Sequence, residues 1–348
     1  MQDSSRYDVI IIGGGAAGLS AAVALGRSLR TTAVIDSGAP RNAPAAGVHN
    51  FLSRDGVPPL ELLAAGRVEA ASYGAVLIDA EAVRVGKDPD GFTVTLGDGG
   101  RVSGRRLLVT TGLTDELPDV EGLPAHWGSG VIHCPYCHGY EARGKAIGVL
   151  ATGPMAMHQV QMFRQLSSDV TLFLHTAPEP TDEEEELLAA LSVRVVSGRV
   201  EAAEETDGSL SGVRLESGAS VPLDALVVAP RFAANSVLLE SLGVEISEHP
   251  MGIGYSAEVD PQGRTSVPGV WAAGNVADPV AQVMASSAAG LMAGAAINGD
   301  LIAEEAKAAV ERRRAARGPG LGGAPAGSDN GITTGTPGRT AELESHAH

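Results

Sequence analysis

A chain of 348 residues with 44% hydrophobic and 19% charged residues has the composition of a globular protein of about two domains, which excludes a disordered or fibrous chain. Its formal net charge of −17 at pH 7 would repel nucleic acids and anionic membrane surfaces, so we expect neither as a partner. The N-terminus has charged residues beside a short apolar strand and no basic leader region, so we expect no signal peptide, no membrane anchor and a cytoplasmic location.

The first informative segment, residues 9–36, predicts a strand, a glycine turn, an Ala-rich helix and a second strand. This is the order of a dinucleotide-binding unit. Gly13 allows the tight turn, Gly15 lets the backbone approach a pyrophosphate, and Gly18 lets the helix pack on the strand. Asp36, at the end of the second strand, can accept hydrogen bonds from ribose hydroxyls. The elements around the glycines make this prediction specific.

Residues 91–112 predict a β-hairpin and a following strand. The hairpin turns at Gly97–Gly100, and the strand that begins at Leu107 ends at Thr111-Gly112.

The only two cysteines, Cys134 and Cys137, lie in the segment VIHCPYCHGYE. A C-x-x-C-H sequence is compatible with haem attachment, with a zinc site that also uses His133 and His138, and with a redox dithiol. Cytoplasmic thiols are kept reduced, which disfavours haem attachment and a structural disulfide. The histidines flank the cysteines so closely that a tetrahedral zinc site is hard to close, and we expect no metal. The redox dithiol is therefore favoured over the two other interpretations.

Residues 146–230 repeat the order of the first unit, with strand, glycine turn, helix, strand, hairpin and strand. The glycine turn of this second copy is altered to Ala151-x-Gly153-x-x-Ala156. Ala151 places a Cβ at the tight turn, and Pro154 removes an amide that could bind phosphate. The second copy is thus predicted to bind a nucleotide poorly.

The segment after the second strand of this copy, HTAPEPTDEEEELL, is acidic. An NADP site needs a basic residue there for the 2′-phosphate, and none occurs before Arg194. The acidic run also predicts a helix start, with Thr181 as N-cap and Glu184 at the capping-box position.

A third glycine block follows at residues 267–299. It predicts a short strand over 270–273, the pair Gly274-Asn275 and a small-residue helix that begins near Val280. The amides at the start of this helix suit a polar cofactor group, although the block is equally typical of a tightly packed helix.

The last part of the chain predicts the end of this helix and a tail. The helix has a basic C-terminal end and is expected to break at Gly318-Pro319. The remaining residues are poor in apolar side chains, so we expect a disordered tail in which His346 and His348 are solvated.

Together these segments resemble the low-molecular-weight thioredoxin reductases over residues 6–312. The shared features are the N-terminal FAD-type glycine turn, an inserted pyridine-nucleotide-type domain with C-x-x-C before its first strand, and a C-terminal G-[DN]-x-x-D segment. The resemblance implies an α/β fold of two Rossmann-like, three-layer domains, the second inserted in the first. The implied parts are an FAD-binding domain over 1–119 and 250–316, a degenerate nucleotide-type domain over 120–249 and a tail over 317–348.

The resemblance also implies FAD as the cofactor and a homodimer. Carried over onto matching positions, the residues implied to contact FAD are Gly13, Gly15, Ala16, Ala17, Gly18, Asp36, Asn50, Val83, Thr111, Gly112, Gly274, Asn275, Gln282 and Val283.

The chain departs from the thioredoxin reductase pattern at several positions. His138 stands where those enzymes have an Asp after the second Cys, and Asn275 replaces the usual Asp after the C-terminal Gly. The second glycine turn and the basic H-R-R-x-x-x-R motif are lost. The pattern is more similar to that of the dithiol oxidases of the gliotoxin and holomycin pathways. Those enzymes close a small-molecule dithiol, a secondary metabolite, into a disulfide and pass the electrons through FAD to O2.

This resemblance implies a role for each residue of the C-x-x-C-H segment. Cys134 would form the mixed disulfide with substrate, and Cys137 would face the flavin. His138 would deprotonate the incoming thiol or stabilise a thiolate, since the ordinary imidazole pKa of about 6.5 is near the working pH. The alternative for His138 is a surface histidine on a turn, and for His133 a residue without a role in the chemistry is the favoured interpretation. The dithiol substrate is itself the electron donor, so such an enzyme needs no NADPH.

Two other functions stay open. One is a thioredoxin-disulfide reductase supplied by NAD(P)H or ferredoxin, and the other is a flavin-binding redox sensor whose cysteine pair changes its contacts with a partner.

Overall fold

The computed structural model describes residues 6–153 and 155–316. Pro154, the helix break expected at Gly318-Pro319 and the tail predicted over 317–348, with His346 and His348, lie outside the described residues. Within the described part, one compact unit ends at Leu301 and a second begins at Ile302. The sheets and the site described below belong to the first unit.

The elements up to residue 116 are, in chain order, β1 (Tyr7–Ile12), α1 (Ala16–Arg27), β2 (Thr32–Asp36), α2 (Pro59–Ser72), β3 (Val76–Asp79), β4 (Ala82–Asp88), β5 (Gly91–Leu96), β6 (Arg101–Val109) and β7 (Leu113–Glu116). The elements of the next segment are α3 (Leu123–His126), β8 (Val131–Ile132), α4 (Pro135–His138), β9 (Ile147–Leu150), α5 (Ala156–Arg164), β10 (Val170–Phe173), α6 (Asp182–Ala190), β11 (Arg194–Val196), β12 (Val200–Thr206), β13 (Ser209–Leu215), β14 (Ser220–Pro222), β15 (Ala225–Val227) and β16 (Arg231–Ala234). The last elements are α7 (Val237–Ser241), β17 (Ile246–Glu248), β18 (Gly254–Ala257), β19 (Val270–Ala272), a 3-10 turn (Gly274–Val276) and α8 (Val283–Ala316).

The first sheet has the strand order β3-β2-β1-β6-β5-β4, and β19 also pairs with β6. β1, β2, β3, β6 and β19 run parallel, whereas β5 and β6 form the predicted hairpin, which is confirmed. The strand predicted to begin at Leu107 is not separate from the hairpin, because β6 runs without a break from Arg101 to Val109. Ile10 and Ile12 lie in the core on one face of the sheet, and Val9 and Ile11 lie in the other core with residues of α1 and α8. Because both faces are covered, β1 is apolar at successive positions.

The second sheet, β11-β10-β9-β15-β8, is parallel throughout. Residues of α5 and α6 pack on one face, and the antiparallel ribbon β12-β13-β14 packs on the other. The same three-layer unit therefore occurs twice, as the sequence predicts.

A mixed sheet, β17-β18-β16-β7, includes both segments by which the chain crosses between these units. β7 and β16 pair antiparallel, with Asp115 opposite Phe232. Leu239 and Val244, which the sequence assignment puts in the inserted domain, pack in the core of the first sheet. Among the described residues, the helices lack the combination of length and apolar composition that a membrane crossing requires.

Candidate active site

The glycine turn after β1 has a backbone conformation that other residues rarely adopt. Gly13 has φ +106°, and a Cβ there would lie 2.4 Å from the carbonyl oxygen of Thr110. A Cβ on Gly18 would lie 1.9 Å from the carbonyl oxygen of Gly13, so α1 packs directly on the turn. Gly15, at the N-cap of α1, has no such neighbour within 4 Å. The turn is thus closed toward the sheet and open at the helix N-terminus, where a phosphate could approach.

Asp36 stands beside this turn at the end of β2. Its Oδ1 accepts a hydrogen bond of 3.0 Å from the backbone N–H of Gly14, and its Oδ2 lies 3.5 Å from Nη1 of Arg67. These contacts fix the carboxylate at the carboxyl edge of the parallel strands, which is where ligands bind in open α/β sheets.

A cavity of about 1190 Å³ extends from the glycine turn to the cysteine pair. The predicted site residues that line it are Gly13, Gly15, Ala16, Ala17, Asp36, Thr111, Gly112, Cys134, Cys137, His138, Gly274, Asn275, Gln282 and Val283.

Three predicted residues lie outside this lining. Gly18 is behind the turn that it supports. Asn50 adopts φ +61° and donates from Nδ2 to the carbonyl oxygen of Tyr136 at 2.8 Å, so it ties the loop after β2 to α4. Val83 is half exposed on β4, and residues 80–82 line the cavity instead.

The cysteine pair is held at the start of α4. Cys134 is the N-cap, and its Sγ lies 2.7 Å from Sγ of Cys137. The hydrogen bond from the Cys137 thiol, with weaker help from backbone amides and Gln282, lowers the pKa of Cys134 to about 7 against the effect of burial. The same bond and burial raise the pKa of Cys137. The reduced pair therefore carries its first negative charge on Cys134, which makes that sulfur the better leaving group and nucleophile near neutral pH.

His138 follows the pair with both ring nitrogens buried and without a partner among the described residues. Burial lowers the pKa of His138, and Glu141 opposes the shift. The imidazole is consequently neutral at pH 7 and has a nitrogen free to accept a proton.

His49 is a site residue that the sequence analysis missed. Its Nδ1 lies 3.3 Å from Oδ2 of Asp55, and its Nε2 lies 3.7 Å from Oε1 of Glu141. His49 thus connects the loop after β2 to Glu141, the carboxylate that opposes the lowering of the His138 pKa. The sequence alone does not indicate this contact, because His49 and Glu141 lie far apart along the chain.

His133 has a structural contact on one side of its ring. Its Nδ1 lies 3.0 Å from the carbonyl oxygen of Val228, which can only accept, so Nδ1 carries the proton. Burial lowers the pKa of His133, so the ring is neutral. Its edge packs on Phe232, with ring centroids 5.4 Å apart.

Arg41 is the second residue that the sequence analysis missed. Its guanidinium donates to both carboxylate oxygens of Asp115, at 2.7 and 2.6 Å, and approaches Oδ1 of Asn275 at 3.4 Å. It also lies over the ring of Phe232, 5.3 Å from the centroid. Arg41 therefore joins the loop after β2 to both crossing strands and to the turn after β19.

The second nucleotide-binding copy contributes to the same cavity in a different way. Met155, His158, Gln159 and Met162, at the start of α5 and along it, line the cavity. The predicted capping box of α6 is confirmed, since Thr181 and Glu184 bond reciprocally. Arg194, the first Arg or Lys after β10, donates from Nε to Oγ1 of Thr171 at 3.2 Å.

Within the part of the chain that is described, no cluster of three or more His, Cys, Asp or Glu side chains could hold a metal ion.

Comparison with known proteins gives a consistent set of relatives. Residues 7–293 match the family model described as pyridine nucleotide-disulphide oxidoreductase. Thioredoxin reductase sirT of Leptosphaeria maculans is 32% identical over 84% of this chain and 94% of its own length. Thioredoxin reductase tcpT of Claviceps purpurea is 32% identical over 87% of this chain and 97% of its own. The crystal structure of HlmI has 43% identity and a TM-score of 0.84 over 91% of this chain and 98% of that chain. An oxidoreductase from Agrobacterium tumefaciens has 36% identity and a TM-score of 0.81 over 86% and 99%.

Proposed function

We propose that this chain, which belongs to the pyridine nucleotide-disulphide oxidoreductase family, is an FAD-dependent oxidase that converts a small-molecule dithiol into its intramolecular disulfide. O2 is the electron acceptor, and the reaction yields one disulfide and one H2O2 from one dithiol and one O2. The observation that carries the proposal is that the Cys134 and Cys137 pair shares one cavity with the glycine turn after β1. The altered sequence Ala151-x-Gly153-x-x-Ala156 in the second copy supports it.

The residues around the glycine turn fit FAD. The closed side of the turn at Gly13 and its open side at Gly15 suit a pyrophosphate, and Asp36 suits a ribose. The cavity of about 1190 Å³ exceeds the roughly 1000 Å³ that bounds ordinary small-molecule pockets, so it has room for more than one small ligand. When bound, FAD would accept two electrons from the cysteine pair and pass them on to O2.

The chain's own residues supply thiol exchange. His138 removes the proton of a substrate thiol, and the resulting thiolate attacks Cys134 of the oxidised pair, which forms a mixed disulfide and releases Cys137 as a thiol or thiolate. The second substrate thiolate then attacks the substrate sulfur of that bond. Cys134 departs, and its pKa of about 7 makes it a good leaving group. The substrate leaves as a disulfide, and the two electrons stay on the cysteine pair.

The second copy supports a route without NADPH. Its helix α5 presents methionine, histidine and glutamine side chains to the cavity, and the stretch after β10 offers acids where a 2′-phosphate would need bases. The proposal extends to a homodimer in the cytoplasm whose substrate is a secondary metabolite. The names of sirT and tcpT favour a second candidate, a thioredoxin-disulfide reductase.

Oxygen uptake distinguishes the two candidates. The FAD-loaded chain is mixed with a panel of small dithiols, and O2 consumption and H2O2 release are recorded; a separate anaerobic sample receives NADPH. We expect dithiol-dependent O2 uptake and little bleaching of the flavin by NADPH. Fast bleaching by NADPH together with reduction of thioredoxin, and no oxidation of any dithiol, would refute the oxidase.

A further inference from the structure

The cavity side of α5 contains a hydrogen-bond acceptor that has nothing to accept. Gln159 is 5% exposed and lines the cavity, yet its Oε1 has no partner among the described residues. A buried amide oxygen without a donor costs free energy, so such groups are normally satisfied by protein, water or ligand.

The orientation of this amide follows from its other contact. The Nε2 of Gln159 donates to the carbonyl oxygen of Val228 at 3.4 Å. That carbonyl cannot donate, so the nitrogen must face it and Oε1 must point away from it. The acceptor is therefore held in place by the strand-end carbonyl.

The position of Gln159 relates it to the reacting sulfurs. The carbonyl oxygen of Val228 also accepts from Nδ1 of His133, at 3.0 Å, and His133 immediately precedes Cys134. Gln159 and His133 thus bond to the same carbonyl oxygen, which places Gln159 near the C-x-x-C segment. Met155 and Met162 flank it in the cavity lining with flexible, apolar side chains that adapt to the shape of a ligand.

We propose that Gln159 determines substrate specificity: its Oε1 accepts a hydrogen bond from an N–H or O–H group that the substrate carries close to its dithiol. The inference rests on the proposed dithiol oxidation and adds a class of substrate to it, a compact and largely apolar dithiol with a donor beside the sulfurs. Discrimination arises because a substrate without the donor leaves the buried oxygen unpaired.

The test uses two matched pairs of dithiols with the FAD-loaded full chain. Dithiothreitol carries two O–H groups and 1,4-butanedithiol carries none. Trans-1,2-bis(2-mercaptoacetamido)cyclohexane carries two N–H groups, and its N,N′-dimethyl analogue carries none. The ratio of kcat/KM within each pair measures donor preference, and the two pairs separate O–H from N–H recognition. The variants are Gln159→Met, which removes the acceptor at similar size, and Gln161→Met, a matched change at an exposed position of the same helix.

We expect the parent to prefer the donor in at least one pair, and Gln159→Met to reduce that preference on the order of 10-fold or more. Gln161→Met should keep it. FAD absorbance and the melting temperature report folding, and Gln159→Leu replaces Gln159→Met if the latter does not bind FAD. The inference would be overturned if the parent had equal kcat/KM for the two dithiols of each pair, or if Gln159→Met kept the parent's preference for the donor. Water would then be the partner of Oε1. If the parent oxidises none of the four dithiols, the proposed function itself fails.

Discussion

Replacement of His138 by Gln tests the proposed base. Gln is similar in size and polarity but cannot take up a proton at any working pH. Because both ring nitrogens of His138 are buried without a hydrogen-bond partner among the described residues, the substitution removes no hydrogen bond there, and FAD binding should persist. The loss is then confined to proton transfer.

The expected size of this effect follows from the state of the imidazole. Burial lowers the pKa of His138, which favours the neutral imidazole at pH 7 and makes the base available in the parent. A positioned base contributes about 10²- to 10⁴-fold, and we expect His138→Gln to lower kcat/KM about 10²-fold at pH 7, which corresponds to about 2.7 kcal/mol of transition-state stabilisation.

The dependence on pH has a definite sign. In the parent, kcat/KM should fall as pH drops below the depressed pKa of His138, because the protonated ring cannot accept a proton. In the variant, kcat/KM should rise with pH toward the parent value, since substrate thiols ionise unaided at high pH. Initial rates of O2 uptake between pH 5.5 and about 9.5 measure both curves. His249→Gln, on a turn outside the cavity lining, is the matched control. An equal loss at every pH would show that His138 does not act as the base.

Four further outcomes are expected. Gly13→Ala should weaken FAD binding and lower the melting temperature, because a Cβ at φ +106° costs about 1–3 kcal/mol in backbone strain before its contact with Thr110 is counted; full FAD content in a purified sample would contradict this. NADPH should reduce the flavin slowly, and complete bleaching by micromolar NADPH within about a second in a stopped-flow cell would be inconsistent with the altered second copy. Cys134→Ser removes the thiol that raises the pKa of Cys137, so this variant should show a long-wavelength charge-transfer band that Cys137→Ser lacks. Cys137→Ser should trap a substrate thiol as a mixed disulfide, as mass spectrometry would show, and turnover like that of the parent in both variants would remove the pair from the mechanism. Thr181→Ala should cost about 1 kcal/mol of stability by loss of the capping box and leave activity unchanged, so an altered rate of dithiol oxidation would mean that α6 takes part in the site.

The parts of the site that follow from sequence are those in which neighbouring residues determine the geometry. The glycine turn, the hairpin at Gly97–Gly100 and the capping box at Thr181 depend on residues a few positions apart, and each is found where the spacing predicts it. The C-x-x-C pair is local in the same way. Residues that are close in the sequence determine the local backbone conformation, so such a motif can be predicted without knowledge of the fold.

The start of α8 shows where local reasoning loses accuracy. The sequence predicts the helix from near Val280, but it begins at Val283. The side chain of Asn275 donates to the carbonyl oxygens of Asp278 and Ala281, at 3.0 and 2.9 Å, and holds these residues in a turn. A side chain that precedes the helix thus delays its first turn, an effect that helix propensity does not contain.

The contacts of Arg41 and Gln159 lie beyond sequence reasoning for a different reason. Arg41 meets Asp115 74 positions later, and Gln159 reaches the carbonyl oxygen of Val228 69 positions later. These contacts exist only because the sheets bring distant loops together. Nothing in the residues beside Arg41 or Gln159 indicates them.

Arg41 also limits which amino-acid substitutions can be tolerated at its own position and at the positions of its partners. Its guanidinium is shared by Asp115, Phe232 and Asn275, and the side chain of Asp115 is only 6% exposed. Loss of Arg41 alone would leave that carboxylate buried without its counter-ion, whereas replacement of the charged pair by apolar residues of similar volume can be neutral. Lys is no substitute, because a single ammonium cannot make the two parallel bonds and the stacking contact at once. These four positions, up to 234 residues apart, should therefore covary among relatives and be inherited as a set.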